Sequence, residues 1–294
     1  MRKSVILFFL FCLIGLKYGF TQTNNIVINA ILNEETNTLE IQQEIDFYNT
    51  STTVFNEIYL HNWANAYKDK NTPLAKRFIE NYSKTFHFTN EKNRGSTTIN
   101  NISIDYDVAT WEISDINPDI LKITLNKPLR PQDSLRIVAT YSVKIPSDKF
   151  TNYGVNNDTY NLKYWYLAPA IYDEKWEIYN NLDMDDLYID YSNYQINIEV
   201  PKGFDINSNL KTTGKSNDNT TQFNLVGKKM QDVELNITKN NDFIDYEFDG
   251  TTISTNLHSD KLDASLKSTI LRREFYFIQT FLGEFPHEKL LINQ

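Results

Sequence analysis

His287-Glu288 opens the pattern H-E-x-x-H, in which two histidines one helical turn apart share a zinc ion and the glutamate acts as general base. The pattern is not completed. The residue four places after His287 is Leu291, and Pro286 stands just before the pair, in the turn-like run Phe281-Leu-Gly-Glu-Phe-Pro-His-Glu-Lys-Leu290. The remaining histidines are His61, His87 and His258, and no two of the four are three or four residues apart. Neither a catalytic set nor a metal-ligand set can be read from them, and scattered histidines are usually structural. Asp183-Met-Asp-Asp186 offers carboxylate oxygens to a calcium ion but lacks the glycine and distal glutamate of an EF-hand loop, so it reads as a solvated loop. Neither G-x-S-x-G nor a phosphate-binding glycine loop occurs. The aromatic run Tyr160-Asn-Leu-Lys-Tyr-Trp-Tyr-Leu-Ala-Pro-Ala-Ile-Tyr-Asp-Glu-Lys-Trp176 reads equally as the lining of a binding cleft or as a core strand leading into a loop.

The elements that must position these residues are mostly strands. Ile26 to Leu32 has a strand's apolar bias. Leu39, Ile41, Ile45 and Phe47 recur close to every second residue, with the polar turn Asn33-Glu-Glu-Thr-Asn37 between the two segments, which predicts a hairpin. Further strands are predicted over 54–60, 99–108, 120–125, 134–143, 194–200, 222–226 and 233–238, with Pro118, Pro128, Pro131, Pro146 and Pro201 near their ends. Residues 78–82, after Thr72-Pro73, suggest a short helical turn. From residue 259 to 282 the spacing changes: Leu262, Leu266, Ile270, Phe277 and Phe281 fall on one helix face, with Ser259 or Asp260 as cap and Gly283 as stop. The expected fold is therefore mainly β, a multi-sheet or sandwich domain followed by one C-terminal helix.

Composition narrows the compartment and excludes some partners. Arg2-Lys3 followed by the apolar run Val5 to Leu16 reads as a secretory signal over residues 1–21, too short to span a bilayer comfortably. The single cysteine, Cys12, lies inside it after Phe9-Leu10-Phe11, without the small residue of a lipoprotein signal. The rest of the chain has no cysteine, so an exported form relies on its core rather than on cross-links. The expected location is periplasmic, associated with the outer envelope, or secreted, with no membrane span after cleavage. Net charge is −9 overall; the leader carries three bases and no acid, leaving −12 for the remainder. Such an acidic chain without a basic cluster argues against nucleic acid.

Taken in order, several segments resemble the N-terminal part of bacterial aminopeptidase N-like zinc metallopeptidases of the M1 family, especially exported members of the Bacteroidetes type. Leu60-His-Asn-Trp-Ala-Asn-Ala-Tyr67 with Thr72-Pro-Leu-Ala-Lys76 resembles the block LHLWPNAY…TPLAK, departing at Asn62 and Ala64; Phe86-His-Phe88 and Arg94-Gly95 continue it. Trp165-Tyr166 to Pro169-Ala-Ile-Tyr-Asp173 resembles QWYPKPAVYD, with Leu167 and Ala168 where the family has Pro and Lys. Leu187-Tyr-Ile-Asp190 to Val200-Pro201 resembles EFYSEF…VNITLP. Phe281, Gly283, Pro286 and Lys289-Leu290 are similar to FGxYPxxKL.

The resemblance implies a saddle-shaped β domain over residues 22–257 and, over 258–294, the first helix and turn of a thermolysin-like catalytic domain. It implies zinc-dependent removal of N-terminal residues from peptides as the family activity. The family's zinc helix and G-x-M-E-N loop have no counterpart in these 294 residues, so zinc is expected only with a catalytic domain, supplied by a partner or a downstream-encoded chain. The substrate-binding glutamine of the family falls at Tyr164, whose phenol hydrogen-bonds with a different reach and a single hydroxyl. Two functions follow as expectations: a non-catalytic β domain of such a peptidase, as a fragment or split product, or a non-catalytic binding module of the envelope. The first leaves an apolar face of the terminal helix exposed; the second buries it.

Overall fold

The structure is a computed structural model that describes residues 22–182 and 186–294. The leader with Cys12, and residues 183–185 of the acidic stretch, lie outside the described residues. The chain opens with a hairpin of β1 (Asn24–Asn33) and β2 (Thr38–Tyr48), turned at Asn37 in a left-handed conformation, φ 54°. Strand β3 (Phe55–His61) leads through a short 3₁₀ turn, Trp63–Tyr67, to helices α1 (Pro73–Glu80) and α2 (Thr85–Phe88). Thr72 caps α1 by accepting the Ala75 N–H at 3.2 Å, and Pro73 occupies the first helical position, where a missing N–H costs nothing. The helix thus begins earlier than residue 78, where the apolar pattern suggested it.

Next come β4 (Ser96–Ile104), β5 (Asp107–Val108), β6 (Thr110–Ile113), β7 (Ile120–Leu129) and β8 (Ser134–Lys144). The single strand expected over 99–108 is broken, because Asp105 and Tyr106 form a two-residue hairpin turn with φ of 48° and 77°. Neither residue is a glycine, so no turn signal marked the break. Short strands follow: β9 (Val155–Asn156), β10 (Thr159–Leu162), β11 (Ala168–Pro169), β12 (Ile171–Asp173) and β13 (Lys175–Glu177). The long β14 (Ser192–Pro201) precedes β15 (Asp205–Ser208), β16 (Lys211–Ser216), β17 (Thr220–Met230) and β18 (Leu235–Thr238). The chain closes with β19 (Ile244–Phe248), β20 (Thr251–Thr255), α3 (Ala264–Leu282) and β21 (Lys289–Ile292).

An eight-stranded sheet in the order β16-β17-β14-β1-β2-β8-β4-β5 forms the main body. It is antiparallel except where β1 lies parallel to β14, Ile26 opposite Tyr194 and Ala30 opposite Ile198. Period-two alternation sends Ile26, Ile28, Leu39, Ile41, Ile137, Ile196 and Ile198 to one face, all nearly inaccessible to water. Two four-stranded sheets, β11-β3-β7-β6 and β15-β18-β10-β9, cover that face and complete the core with Ile58, Leu60, Leu121, Leu235 and Ile237. Each such side chain contributes about 1.5–3 kcal/mol by burial. A second core beneath α1 and α2 joins Tyr67, Leu74, Phe78, Phe86 and Phe150.

The terminal helix differs from its expected register. It starts at Ala264, where Asp263 accepts the Leu266 N–H at 2.8 Å, so Ser259 and Asp260 lie before it; Gly283, φ 95°, ends it as expected. Its buried side chains are Leu271 and Phe275, which share a small core with Phe248 and Ile253. The anticipated apolar face is the outer one: Phe277 is 58% and Phe281 70% exposed, and Leu266 is also exposed. Two apolar stripes run along this helix, each joined by i, i+4 steps, and the one that packs on β19 and β20 is Leu271 with Phe275.

Candidate functional site

The first half of the aromatic run is core, while Tyr172 and Trp176 in its second half pack against that core half-buried. Tyr160, Leu162, Tyr164, Trp165, Tyr166, Leu167 and Ala168 are all buried. After β10 the chain reverses at Tyr164, which takes a left-handed φ of 54°, and then crosses to pair β11 with β3, Ala168 opposite His61. A buried polar network pins the crossing segment to the main sheet. Tyr141 Oη donates to Gln43 Oε1 at 2.5 Å, Gln43 Nε2 donates to the Leu167 carbonyl at 2.8 Å, and the Leu167 N–H reaches both Gln43 Oε1 (3.2 Å) and Tyr141 Oη (3.1 Å). Burial lifts the Tyr141 phenol far above its ordinary range, so it stays a neutral donor. Tyr166 and Tyr194 add a hydroxyl pair at 2.9 Å.

Where this segment surfaces it walls a cavity of about 250 Å³, with Trp63, Tyr153, Lys163, Tyr164, Trp165 and Asp186 among its lining. The Trp63 and Tyr164 rings meet edge to face, 4.6 Å between centroids. The Tyr164 hydroxyl accepts the Leu187 N–H at 3.2 Å and donates to Asp186 Oδ1 at 3.4 Å. The structure therefore places Tyr164 at the cavity wall with its hydroxyl engaged within the protein.

Beside it lies a charge cluster that the sequence reading missed. Lys163 Nζ sits 3.1 Å from Asp186, 3.3 Å from Asp232 and 3.2 Å from Glu234, and 5.2 Å from the centre of the Tyr164 ring. Burial alone lowers the Lys163 pKa, but Asp232, Tyr164, Glu234 and Asp186 together outweigh it and hold the ammonium charged well above its ordinary value. Such a lysine is no general base. Glu234 moves up, since its own burial exceeds the pull of Lys163. Three carboxylates against one ammonium leave the rim negative, suited to a cationic group rather than an anion. The only clue in the sequence was Asp232-Val-Glu234, two acids on one side of a strand-like step whose partner lies about seventy residues away in the chain.

His61 ends β3, and Asp119 immediately precedes β7, whose Ile120 pairs with His61. His61 is buried and its pKa falls to about 4, because loss of solvent outweighs the nearby backbone of Glu177 and Tyr179. Asp119 is buried and pushed up to about 6; its Oδ2 accepts the Asn181 N–H at 2.5 Å, and Oδ1 has no protein partner among the described residues. His87 lies beside Phe88, His258 beside Asp260, and His287 edge-on to Phe285 in the turn between α3 and β21. Among the described residues no three His, Cys, Asp or Glu side chains gather as a ligand set, so the residues present do not fit zinc.

No protein-family model and no curated protein matches the sequence. Solved structures of M1 zinc metallopeptidases share its fold. One from Deinococcus radiodurans aligns with a TM-score of 0.53 at 9% identity, over 92% of this chain and 55% of its own. A mutant from that organism bound to a Tyr-Ser-Ala substrate gives 0.54 at 10% identity with the same coverage. A two-domain M1 zinc metallopeptidase mutant bound to L-arginine gives 0.52 at 10%, again over 92% and 55%. At these identities the likeness is one of fold, and the chain spans about half the length of the structures it matches.

Proposed function

We propose that this chain is the N-terminal β domain of an M1-like zinc metallopeptidase acting on peptides, joined to the opening helix and turn of the catalytic domain, and that it does not hydrolyse peptides by itself. The observation that carries this reading is the coverage: nearly all of this chain aligns with about half of each neighbour, one of them described as a two-domain enzyme. The order of the peptidase-like segments from Leu60 to Leu290 supports it. The zinc chemistry then belongs to a catalytic half supplied with or beside this chain. The contribution made here is a rigid β platform whose cavity at Tyr164, Lys163 and Asp186 presents an aromatic wall and a negative rim. We place the start of the second unit near residue 243, because Phe248 and Ile253 share their core with α3.

The outward face of α3 separates this reading from an envelope binding module. A self-sufficient module buries its terminal helix, whereas Phe277, Phe281 and Leu282 are exposed here, a surface suited to further protein. We further propose that residues 1–21 are removed on export; mass spectrometry of the protein recovered from cell envelopes, showing residues 1–21 retained, would exclude this.

Purified chain incubated with zinc and aminoacyl reporter substrates is expected to show no turnover. Turnover abolished by a chelator overturns the inactivity. The DNA following codon 294 is expected to encode H-E-x-x-H, in frame or in a neighbouring frame; its absence removes the split-peptidase reading.

A further inference from the structure

The outer face of the eight-stranded sheet carries a row of neutral hydrogen-bonding side chains. Strand register brings Thr213, Asn224, Asn197, Asn29, Gln42 and Thr140 side by side across β16, β17, β14, β1, β2 and β8. Neighbours in such a row are about 4.8 Å apart. The amides are locked to one another and point the same way: Asn224 Nδ2 donates to Asn197 Oδ1 at 2.8 Å, and Asn197 Nδ2 donates to Asn29 Oδ1 at 2.9 Å. Each carboxamide keeps unspent hydrogen-bonding capacity, and among the described residues the Gln42 side chain makes no hydrogen bond. The face is concave, enclosing about 690 Å³, which a flat sheet could not do.

The rows on either side are mixed: Lys215, Glu199 and Glu40 flank the exposed Ile31 on one, and Lys211 and Glu44 stand with the exposed Val226 on the other. The central row is uncharged along its whole length. Charges of both signs flank the row, so neither a polyanion nor a polycation meets a field of one sign, and the row itself offers no charge to pair with. An extended peptide docks through main-chain bonds at a sheet edge, whereas this row crosses the middle of a sheet whose strands from β17 to β8 are already paired on both sides. A neutral polyhydroxylated chain matches it, because vicinal hydroxyls use the donor and acceptor of one carboxamide together, and amides already fixed in place lose little entropy on binding. We infer that this concave face is a binding site for a neutral oligosaccharide, with Asn29, Asn197, Asn224 and Gln42 as its hydrogen-bonding floor. The inference stands on the sheet alone and does not rest on the peptidase reading.

The test is an NMR or calorimetric titration of the full chain with cellohexaose, maltohexaose, laminarihexaose and the hexamer of N-acetylglucosamine. At least one is expected to bind in the roughly micromolar to millimolar range, and Gln42→Ala and Asn197→Ala are expected to weaken it by about tenfold each with unchanged thermal unfolding. Affinity should change little with added salt, since no charge is paired. The inference is overturned if none of the four binds at about 10 mM. It is equally overturned if binding survives both substitutions unchanged, or if an uncharged decapeptide binds this face and the sugars do not.

Discussion

His61, at the end of β3, and Asp119, just before β7, are both buried, and their shifts oppose one another. Asp119 holds its proton up to about pH 6 in the folded chain against 3.8 when unfolded, so its contribution to stability falls as pH rises from about 4 to 6. His61 resists protonation until about pH 4 folded against 6.5 unfolded, so its contribution falls as pH drops through that same interval. Between about pH 4 and 6 the two slopes cancel. Asp119→Asn is expected to raise stability at pH 7 by about 2 kcal/mol and to leave a protein that weakens on acidification. His61→Gln should show the reverse slope. Urea unfolding from pH 4 to 7 reads both, and parallel slopes in the two variants would refute the assignment. Lys163→Met strands Asp232 and Glu234 at a partly buried rim; it should cost about 2 kcal/mol at pH 7, partly recovered as pH falls and Glu234, whose pKa burial already raises, takes up a proton. Gln43→Leu leaves the Leu167 carbonyl and Tyr141 hydroxyl without their partner, for a loss of about 1–3 kcal/mol in the same measurement. None of these partners is adjacent in the chain, which is why only the residue types, and not the constellations, were legible beforehand.

At the scale of elements, strands were the most readable feature. A half-buried strand writes its period directly into the sequence, as in β2 and β14, where every second side chain is inward. The β4–β5 turn escaped because Asp105-Tyr106 adopts left-handed angles without glycine. Helix α3 was found but its buried stripe was not. Apolar residues lie on both sides, and periodicity cannot say which stripe a neighbouring sheet will cover. The exposed stripe makes a separate prediction. Phe277→Glu with Phe281→Glu should change monomer stability by no more than about 0.5 kcal/mol while reducing concentration-dependent association in sedimentation runs. Phe275→Ala, by contrast, should cost about 3 kcal/mol in the unit it helps to close.

For the molecule as a whole, the unequal cores set an order of stability. The main core draws on both four-stranded sheets and the inner face of the large one, while the unit of β19, β20, β21 and α3 closes over a small cluster, Phe248, Ile253, Leu271 and Phe275, with Leu291 also buried. Hydrogen exchange should therefore be faster in residues 244–292 than in β1, β2, β8 and β14. Equal protection in the two regions would show that the small unit is held by more than its own core. The same division fits the proposed role, a rigid β platform joined to an element whose outer face awaits further protein.

The mainly β character, the hairpin at its start and the terminal helix with its Gly283 stop all follow from local chemistry: side-chain period, a polar turn, a residue free to take a positive φ. The inward turn of the aromatic run, the Lys163 cluster, the opposed shifts of His61 and Asp119 and the neutral row of amides were decided only in three dimensions. Each depends on strands that are distant in the chain and adjacent in space, and on which side of each element loses its water.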